Sequence, residues 1–293
     1  MTEETTTPFP AFEPNTRPPD HAAPAGSCDA QIHVFGDPLK YPARSGRIYE
    51  PPTGSIDDAK RMHRSLDIEC GVIAQATIYG TDHRLLLDVL RGETNYKGVA
   101  IVDDSVSEGD LDRLHAAGIR GARFNFARFL GIVPSQATFR RSIARIAERG
   151  WFAKIHASGD ELLEIAGLLR PLRLPVMLDH LGHLDFARGL DQPACRFVME
   201  LLRQDNWWMM LGNGDRFSLQ GYPWDDSIPF AQAFVAAAPD RIVWCTDWPH
   251  VRYRRAMVND GDLLDLLYRS VPDAGLQRKI LVDNPRRIFG FLS

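Results

Sequence analysis

Two hydrophobic periods alternate along this chain. Short runs of apolar and β-branched residues predict strands, and the segments between them repeat their apolar residues every three or four positions, as amphipathic helices do. SIDDAKRMHRSL, for example, places Ile56, Ala59 and Met62 on one helical face, and the helical pattern of SEGDLDRLHAAG ends at Gly118. The predicted strands cover residues 29–35, 70–77, 97–103, 121–126, 152–157, 175–182, 207–212 and 241–247.

The order of these elements predicts the fold class. Strands and helices alternate through residues 27–293, and near-continuous apolar strands such as CGVIAQAT are typical of parallel sheets covered by helices. Eight such units in about 250 residues predict one α/β domain, a single (β/α)8 TIM-type barrel. An open, doubly wound sheet is the alternative, but no Gly-rich turn follows the first strand. Residues 1–26 are predicted to form a flexible, Pro-rich N-terminal arm.

Composition and charge narrow the partners. With 44% hydrophobic residues in 293, the chain can fill one sizeable core. The net charge of −4 comes from 34 basic and 38 acidic residues spread through the chain, so we expect neither nucleic acid nor a membrane surface as a partner. A small molecule is the expected partner instead.

The expected location follows from the apolar runs and the leader. No apolar run is long enough to span a bilayer, and the first residues are acidic where a signal peptide would be basic and then apolar. We therefore expect a cytoplasmic protein that is a monomer or a small homo-oligomer. Cys28, Cys70, Cys195 and Cys245 lack CxxC spacing, so neither a disulfide framework nor a thiolate metal site is predicted.

Polar residues gather where the predicted strands end. Barrel enzymes draw their active-site groups from the C-terminal ends of several strands, and here those ends read QIH, QAT, RFNF, KIHA, LDHLGH, LGNGDR and CTDWPH. Taken singly, each residue has a structural explanation: His33 or His180 as a hydrogen-bonded histidine, Asp247 as a cap of the next segment. Taken together, they would all have to converge on one rim by accident.

Four motifs in this order resemble a known family. DAQIHVFG, RFNF, LDHLG and TDWPH are similar to the amidohydrolase superfamily, in particular the branch that contains 2-pyrone-4,6-dicarboxylate lactonase. The resemblance runs from about Asp29 to Phe289. It implies a lactonase-type hydrolase that opens the carboxylic ester of a small anionic lactone, such as 2-pyrone-4,6-dicarboxylate or a muconolactone, in aromatic compound or sugar-acid catabolism.

The first strand departs from the common superfamily pattern, HxH. Side chains two residues apart on a strand share a face, so Gln31 and His33 both point into the expected site, with Gln31 in place of the first histidine. Glutamine is a poor Zn²⁺ ligand, and the lactonase branch implies chemistry without metal. We therefore expect no cofactor. A Zn²⁺ site remains the alternative, because four possible Zn²⁺ ligands are still present, namely His33, His156, His180 and Asp247.

The resemblance also implies roles for the reacting groups. Asp247 is the expected base that activates water, although burial would have to raise its pKa, or the water would have to be unusually well placed. His33 and His180 are expected to donate N–H groups to the carbonyl oxygen, and Gln31 to supply an amide N–H in place of the second imidazole.

Substrate carboxylates are expected to meet arginines, whose guanidinium groups form paired hydrogen bonds with them. Arg123 and Arg216 match the lactonase pattern, and Tyr49 and Thr77 resemble its hydroxyl contacts. The remaining two predicted substrate-binding residues depart from the lactonase pattern. Arg128 lies next to the position of a further arginine in that pattern, and Phe129 occupies the position itself; His156 replaces a tyrosine. An aliphatic lactone therefore fits the expected pocket as well as a planar pyrone.

Three other functions stay open. An aldarolactone isomerase would use the same groups, with the substrate's own alkoxide in place of water. The resemblance to aldarolactone isomerases also implies glutamine at the first position of the HxH motif. A Zn²⁺-dependent hydrolase or decarboxylase would bind metal stoichiometrically. A barrel that binds a ligand without catalysis is suggested only by the missing histidine, since His33, His180 and Asp247 remain.

Overall fold

Eight parallel strands form one sheet in the computed structural model, which describes residues 12–291. They are β1 (Cys28–Ile32), β2 (Cys70–Ala74), β3 (Tyr96–Ile101), β4 (Ile119–Asn125), β5 (Phe152–His156), β6 (Val176–Leu178), β7 (Trp207–Leu211) and β8 (Ile242–Trp244), each paired with the next. Ile32 forms a further parallel bridge with Trp248, just beyond β8. The sheet therefore returns to its first strand, and the predicted single (β/α)8 barrel is confirmed.

Helices follow the strands around the outside. They are α1 (Ile56–Ser65), α2 (Arg84–Leu90), α3 (Glu108–Ala116), α4 (Gln136–Ala147), α5 (Gly159–Glu164), α6 (Ala166–Leu169), α7 (Pro193–Leu202), α8 (Gly214–Phe217), α9 (Ile228–Ala237), α10 (Asp260–Ser270), α11 (Ala274–Arg278) and α12 (Asn284–Phe289). Sequence capping signals set several of their starts: Ser55 and Asp58 form a reciprocal capping box on α1, and Ser107 and Asp110 form one on α3. Within residues 12–291, no helix has the length and apolar character to cross a membrane.

The part of the predicted N-terminal arm from residue 1 to residue 11 lies outside the described residues. From residue 12 onward the segment lies on the barrel. The ring of Phe12 is 4.7 Å from that of Trp248, and the Arg17 side chain donates to Asp262 at 2.7 Å and pairs with Asp265 on α10. These contacts place the segment beside the loop that follows β8.

The eight strands end one to four residues earlier than the sequence suggested, and at two of them the backbone gives the reason. β6 ends at Leu178 rather than at residue 182, and β8 ends at Trp244 rather than at residue 247. The cause is backbone in the left-handed region, with φ of +46° at His180 and +64° at Asp247, which no extended strand accommodates. The chain turns at these points, so their side chains leave the alternation of the strand.

The hydrophobic core has two parts. One lies between the strands and the surrounding helices, and the other lies inside the barrel. In the inner part, Phe152 at the start of β5 packs against Phe289 at the end of α12, with ring centroids 5.5 Å apart. The C-terminal helix therefore fills the N-terminal end of the barrel, and polar side chains occupy the opposite end.

One buried carboxylate joins the first and last strands. Asp29 is fully buried, and its Oδ1 accepts hydrogen bonds from the backbone N–H groups of Gln31 and Thr246, both at 3.1 Å. Its Oδ2 accepts the Thr246 hydroxyl at 2.5 Å and lies 3.3 Å from Nε2 of His63 on α1. We call Asp29, Gln31 and Thr246 the closing seam, since they connect β1 to the residues after β8.

Replacing Asp29 by alanine should destabilise the fold strongly. The substitution leaves two backbone N–H groups and one hydroxyl buried without acceptors, and each such group costs about 1–3 kcal/mol. We expect the free energy of unfolding in urea to fall by about 3 kcal/mol or more.

The matched control is Asp112→Ala. Asp112 is 71% exposed and pairs with Arg149 on the surface, so its loss should cost less than about 1 kcal/mol. Equal effects of the two substitutions would contradict the role of the closing seam.

Candidate active site

A cavity of about 170 Å³ opens at the C-terminal end of the barrel. Eight of the ten predicted site residues line it: His33, Tyr49, Thr77, Arg123, His156, His180, Arg216 and Asp247. Gln31 lies fully buried behind this wall, in contact with Asp247 and His180. Arg128 lies outside the cavity.

Five side chains surround the Asp247 carboxylate, and one of them, His180, has its Nε2 3.6 Å from Oδ1. Gln31 Nε2 donates to Oδ1 at 2.7 Å, and Asn213 Nδ2 donates to Oδ2 at 3.1 Å. His33 Nε2 is 3.3 Å from Oδ1, and the Arg216 guanidinium is 3.9 Å from Oδ2. Each oxygen thus has a neutral amide donor and a nearby ring or guanidinium nitrogen, which together fix the plane of the carboxylate.

These partners keep Asp247 ionised. Burial by itself raises the pKa of Asp247. In the acid range where this carboxylate would take up a proton, the charge of protonated His180 and the hydrogen bond from His33 act against burial, and the pKa falls well below its ordinary value. Of the two conditions named for Asp247 as a base, a raised pKa is not met, because several donors meet this carboxylate. A well-placed water is the condition that stays open. As a base, Asp247 depends on its position rather than on a raised pKa.

The proton positions of Gln31 and His180 follow from the same contacts. A carboxylate can only accept, so the nitrogen of the Gln31 amide faces Asp247, and that nitrogen is also 2.9 Å from His180 Nε2. Burial lowers the pKa of His180 to about 4, so its ring is neutral near pH 7. Its Nε2 then accepts from Gln31, and its proton lies on Nδ1, 3.9 Å from Cys245 Sγ.

This arrangement differs from the sequence-based expectation. Gln31 and His180 were expected to donate N–H groups to the substrate, but the two amide protons of Gln31 point to Asp247 and to His180 Nε2. His33 keeps a donor role, because the groups that face its two ring nitrogens can only accept: the Ala74 carbonyl is 2.7 Å from Nδ1, and the Asp247 carboxylate is 3.3 Å from Nε2. Donation to both requires a proton on each nitrogen, as in the imidazolium form. The Ala74 carbonyl at the end of β2 thereby sets the orientation of the His33 ring.

A buried ionic group supports the opposite wall. Asp179 lies 3.0 Å from the Arg123 guanidinium and 3.1 Å from the Lys154 ammonium, and all three side chains are buried. The same guanidinium donates to His156 Nδ1 at 3.1 Å. Burial first, and then the Arg123 charge, hold the pKa of His156 well below its usual value. His156 is therefore neutral, and its Nδ1 lies between the Arg123 guanidinium and Asn125 Oδ1, which is 3.0 Å away.

Arg128 points away from the cavity. Its side chain is 66% exposed and pairs with Glu164 on α5, and its backbone N–H donates to Glu161 at 2.9 Å. The reason is the short 3₁₀ turn Arg128–Leu130, which directs Phe129 and Leu130 to the cavity instead.

Several lining residues were missed by the sequence analysis: Ala76, Phe129, Leu130, His183, Asn213, Val251, Arg252 and Arg254. Signals for three of them were present, namely the second histidine of LDHLGH and two of the arginines of VRYRR. The ring of His183 is 4.5 Å from that of His156, and burial lowers the pKa of His183 to about 3. The cavity therefore contains neutral imidazoles on one wall and guanidinium groups around them.

The residues of the Zn²⁺ alternative make other contacts in this arrangement. Among residues 12–291, no three His, Cys, Asp or Glu side chains lie together as metal ligands. Gln31 Nε2 lies between Asp247 and His180, within hydrogen-bond distance of both, where an ion that they shared would lie.

Comparisons with known proteins agree on one family. The family model described as Amidohydrolase matches residues 28–291. A 4-sulfomuconolactone hydrolase of Rhizobium radiobacter is 34% identical over 94% of this chain and 93% of its own length. A D-galactarolactone isomerase of Agrobacterium fabrum is 30% identical over 92% and 93%. A crystal structure from Pseudomonas putida, provisionally named a 2-pyrone-4,6-dicarboxylic acid hydrolase, superposes with a TM-score of 0.80 at 28% identity, covering 92% of this chain and 98% of that one.

The buried imidazoles predict a loss of stability in acid. The pKa of His180 is about 4 in the folded protein, compared with about 6.5 in an unfolded chain, so between these values the unfolded state binds more protons. The free energy of unfolding should therefore fall as the pH is lowered from 6.5 to 4, by about 3 kcal/mol from His180 alone.

Urea unfolding at pH 6.5, 5.5 and 4.5 measures this slope. We expect His180→Asn to make the profile shallower, whereas His21→Asn, at an exposed position, should leave it as it is. An unchanged slope in His180→Asn would show that this imidazole is already protonated in the folded protein.

Proposed function

Because the chain belongs to the amidohydrolase family, we propose that it is a lactonase-type enzyme that hydrolyses the ester of a small carboxylated lactone, such as a muconolactone or 2-pyrone-4,6-dicarboxylate. The observation that carries this proposal is the ionised Asp247, which five side chains surround on one wall of a cavity that also presents guanidinium groups. The related 4-sulfomuconolactone hydrolase supports it.

Water would be activated at Asp247. A carboxylate of low pKa is a weak base, so its contribution lies in orientation: Gln31 and Asn213 fix its plane, and a water that donates to it is held for attack. As the water oxygen bonds to the ester carbon, its proton passes to Asp247. When the ring C–O bond breaks, Asp247 returns that proton to the leaving oxygen.

The developing negative charge needs donors near the same carboxylate. His33 Nε2 and the Arg216 guanidinium both border the cavity within 4 Å of an Asp247 oxygen, and we assign them to the carbonyl oxygen of the tetrahedral intermediate. Gln31, behind the cavity wall, and His180, on it, act by holding Asp247 in position.

Substrate carboxylates would bind on the arginine side. Arg123 is fixed by Asp179, so its guanidinium is already oriented when a substrate arrives. The hydroxyl of Tyr49 stays protonated, since burial raises its pKa to about 12, and with Thr77 it provides uncharged contacts. His156 lies on the wall where the lactonase pattern has a tyrosine.

We further propose that the reaction is metal-independent and needs no cofactor. Its support is Gln31, whose amide links Asp247 to His180 at the position of the first histidine of HxH. Aromatic compound catabolism, a cytoplasmic location and a monomer or small homo-oligomer remain predictions from the sequence.

A lactone isomerase is the second candidate. The related D-galactarolactone isomerase favours it, because a hydroxyl of the substrate could take the place of water beside Asp247. Products distinguish the two: hydrolysis releases an open-chain acid with oxygen from water, whereas isomerisation retains a lactone.

The first prediction of the proposal concerns metal. Purified protein should hydrolyse at least one member of a panel of muconolactones, aldarolactones and 2-pyrone-4,6-dicarboxylate, and the rate should survive chelation in protein shown to be metal-poor. Loss of turnover on chelation, restored by Zn²⁺, would contradict metal independence and direct attention to His33, His156 and His180 as ligands.

The second concerns the base. Asp247→Asn preserves the size of the side chain but removes the proton acceptor, and kcat should fall by about 10²- to 10⁴-fold. Asp112→Asn is the control, because Asp112 is exposed on α3, and it should keep full activity. Full activity in Asp247→Asn would show that another group takes the proton.

A further inference from the structure

The loop after β8 brings two further arginines to the cavity. Arg252 and Arg254 both line it, on the segment VRYRR that follows TDWPH. Neither was predicted from the sequence, and neither corresponds to the arginines of the lactonase resemblance. Their position raises the question of what anion they face.

The loop is firmly anchored on both sides of these residues. Before them, buried His250 pairs with Asp260 at the start of α10, at 3.0 Å. After them, the guanidinium of Arg255 donates to the backbone carbonyls of Asp215 at 3.2 Å and Ser218 at 2.9 Å. The two intervening arginines are therefore presented by a fixed backbone rather than by a free surface loop.

The two cations lack acidic partners within the part of the chain described. Most arginines on this rim are neutralised, as Arg123 is by Asp179 and Arg128 by Glu164. Arg252 instead has like charges as neighbours: burial first, and then Arg254 and Arg216, lower its pKa. A bound anion would relieve this repulsion.

Arg252 is also held in a conformation that is unfavourable for its residue type. Its φ is +62°, in the left-handed region, and its guanidinium lies over the ring of Phe129, 5.0 Å from the centroid. Left-handed backbone at a non-glycine residue persists only where the surroundings enforce it, and it is concentrated at binding sites. The ring of Phe129 adds a cation–π contact that orients the guanidinium.

We propose that Arg252 and Arg254 form a second anion subsite at the cavity, which binds a carboxylate of the substrate distinct from the one that Arg123 binds. This inference rests on the proposed function, and it restricts the substrate to lactones with two anionic groups. The 3₁₀ turn after β4 brings no cation to the cavity, because Arg128 points outward and Phe129 lines the cavity instead. The loop after β8 supplies cations through Arg252 and Arg254.

Direct binding tests the subsite without any reaction. The probes are tricarballylate, a flexible tricarboxylate without an ester, and butyrate, a monocarboxylate, titrated calorimetrically into the full-length protein. Arg252→Gln and Arg254→Gln should each weaken tricarballylate binding by about tenfold or more, as expected for the loss of a charged hydrogen-bonding partner, and butyrate binding by less than about threefold. Arg128→Gln is the matched control and should change neither affinity.

Salt adds a second measurement on the same variants. Tricarballylate binding should weaken as ionic strength rises, and this dependence should be smaller in the double variant Arg252→Gln, Arg254→Gln than in the unmodified protein. Unchanged tricarballylate affinity in the double variant, or an equal loss for butyrate, would overturn the subsite.

Kinetics separate this inference from the proposed function. If lactones are hydrolysed, the double variant should raise KM for those with two anionic groups and leave lactones with one within about threefold. If no lactone is turned over but the tricarballylate difference is present, the proposed function fails and the subsite stands. If the unmodified protein hydrolyses lactones, and the double variant binds and hydrolyses lactones with one and with two anionic groups equally well, the subsite is wrong and the proposed function stands.

Discussion

The buried carboxylate of Asp29 holds together the two strands on which the proposed reacting groups lie. It accepts hydrogen bonds from Gln31 on β1 and from Thr246 after β8. Two backbone hydrogen bonds continue this connection. The N–H of Asp247 donates to the Gln31 carbonyl at 3.1 Å, and the N–H of His33 donates to the Trp248 carbonyl at 2.7 Å. Closing the barrel and assembling the site are therefore one event, because the closing seam sets the distance between β1 and Asp247.

The charges of the site follow from what burial permits. An isolated buried carboxylate would favour its neutral form, but the donors around Asp247 reverse that preference, whereas the imidazole of His180 receives an amide hydrogen bond and stays neutral. The pocket thus separates into two halves. The half at the closing seam holds a negative charge for the proposed attack of water, and the half formed by β4 and the loop after β8 holds the positive charges of Arg123 and Arg252. Arg216 on α8 lies between them, 3.9 Å from the Asp247 carboxylate.

Much of the fold was predictable because it depends on local patterns. The strand runs, the helical periods and capping pairs such as Ser55 with Asp58 each specify their own element, and eight alternating elements leave few architectures. Most site residues were predictable for a related reason: polar side chains at the ends of parallel strands meet at one rim. Arg128 was predicted to bind the substrate, but it lies outside the cavity. A single 3₁₀ turn decides whether its side chain or that of Phe129 faces the cavity.

The sequence by itself determined the barrel, the shared face of Gln31 and His33, and the set of strands that contribute to the site. Only the tertiary structure decided the ionisation of Asp247, the proton positions of Gln31 and His180, and the place of Arg252 beside Phe129. The physical reason is distance along the chain. Periodicity links residues a few positions apart, whereas a pKa or a hydrogen bond depends on groups that approach from strands more than a hundred residues away, as Asp247 approaches Gln31.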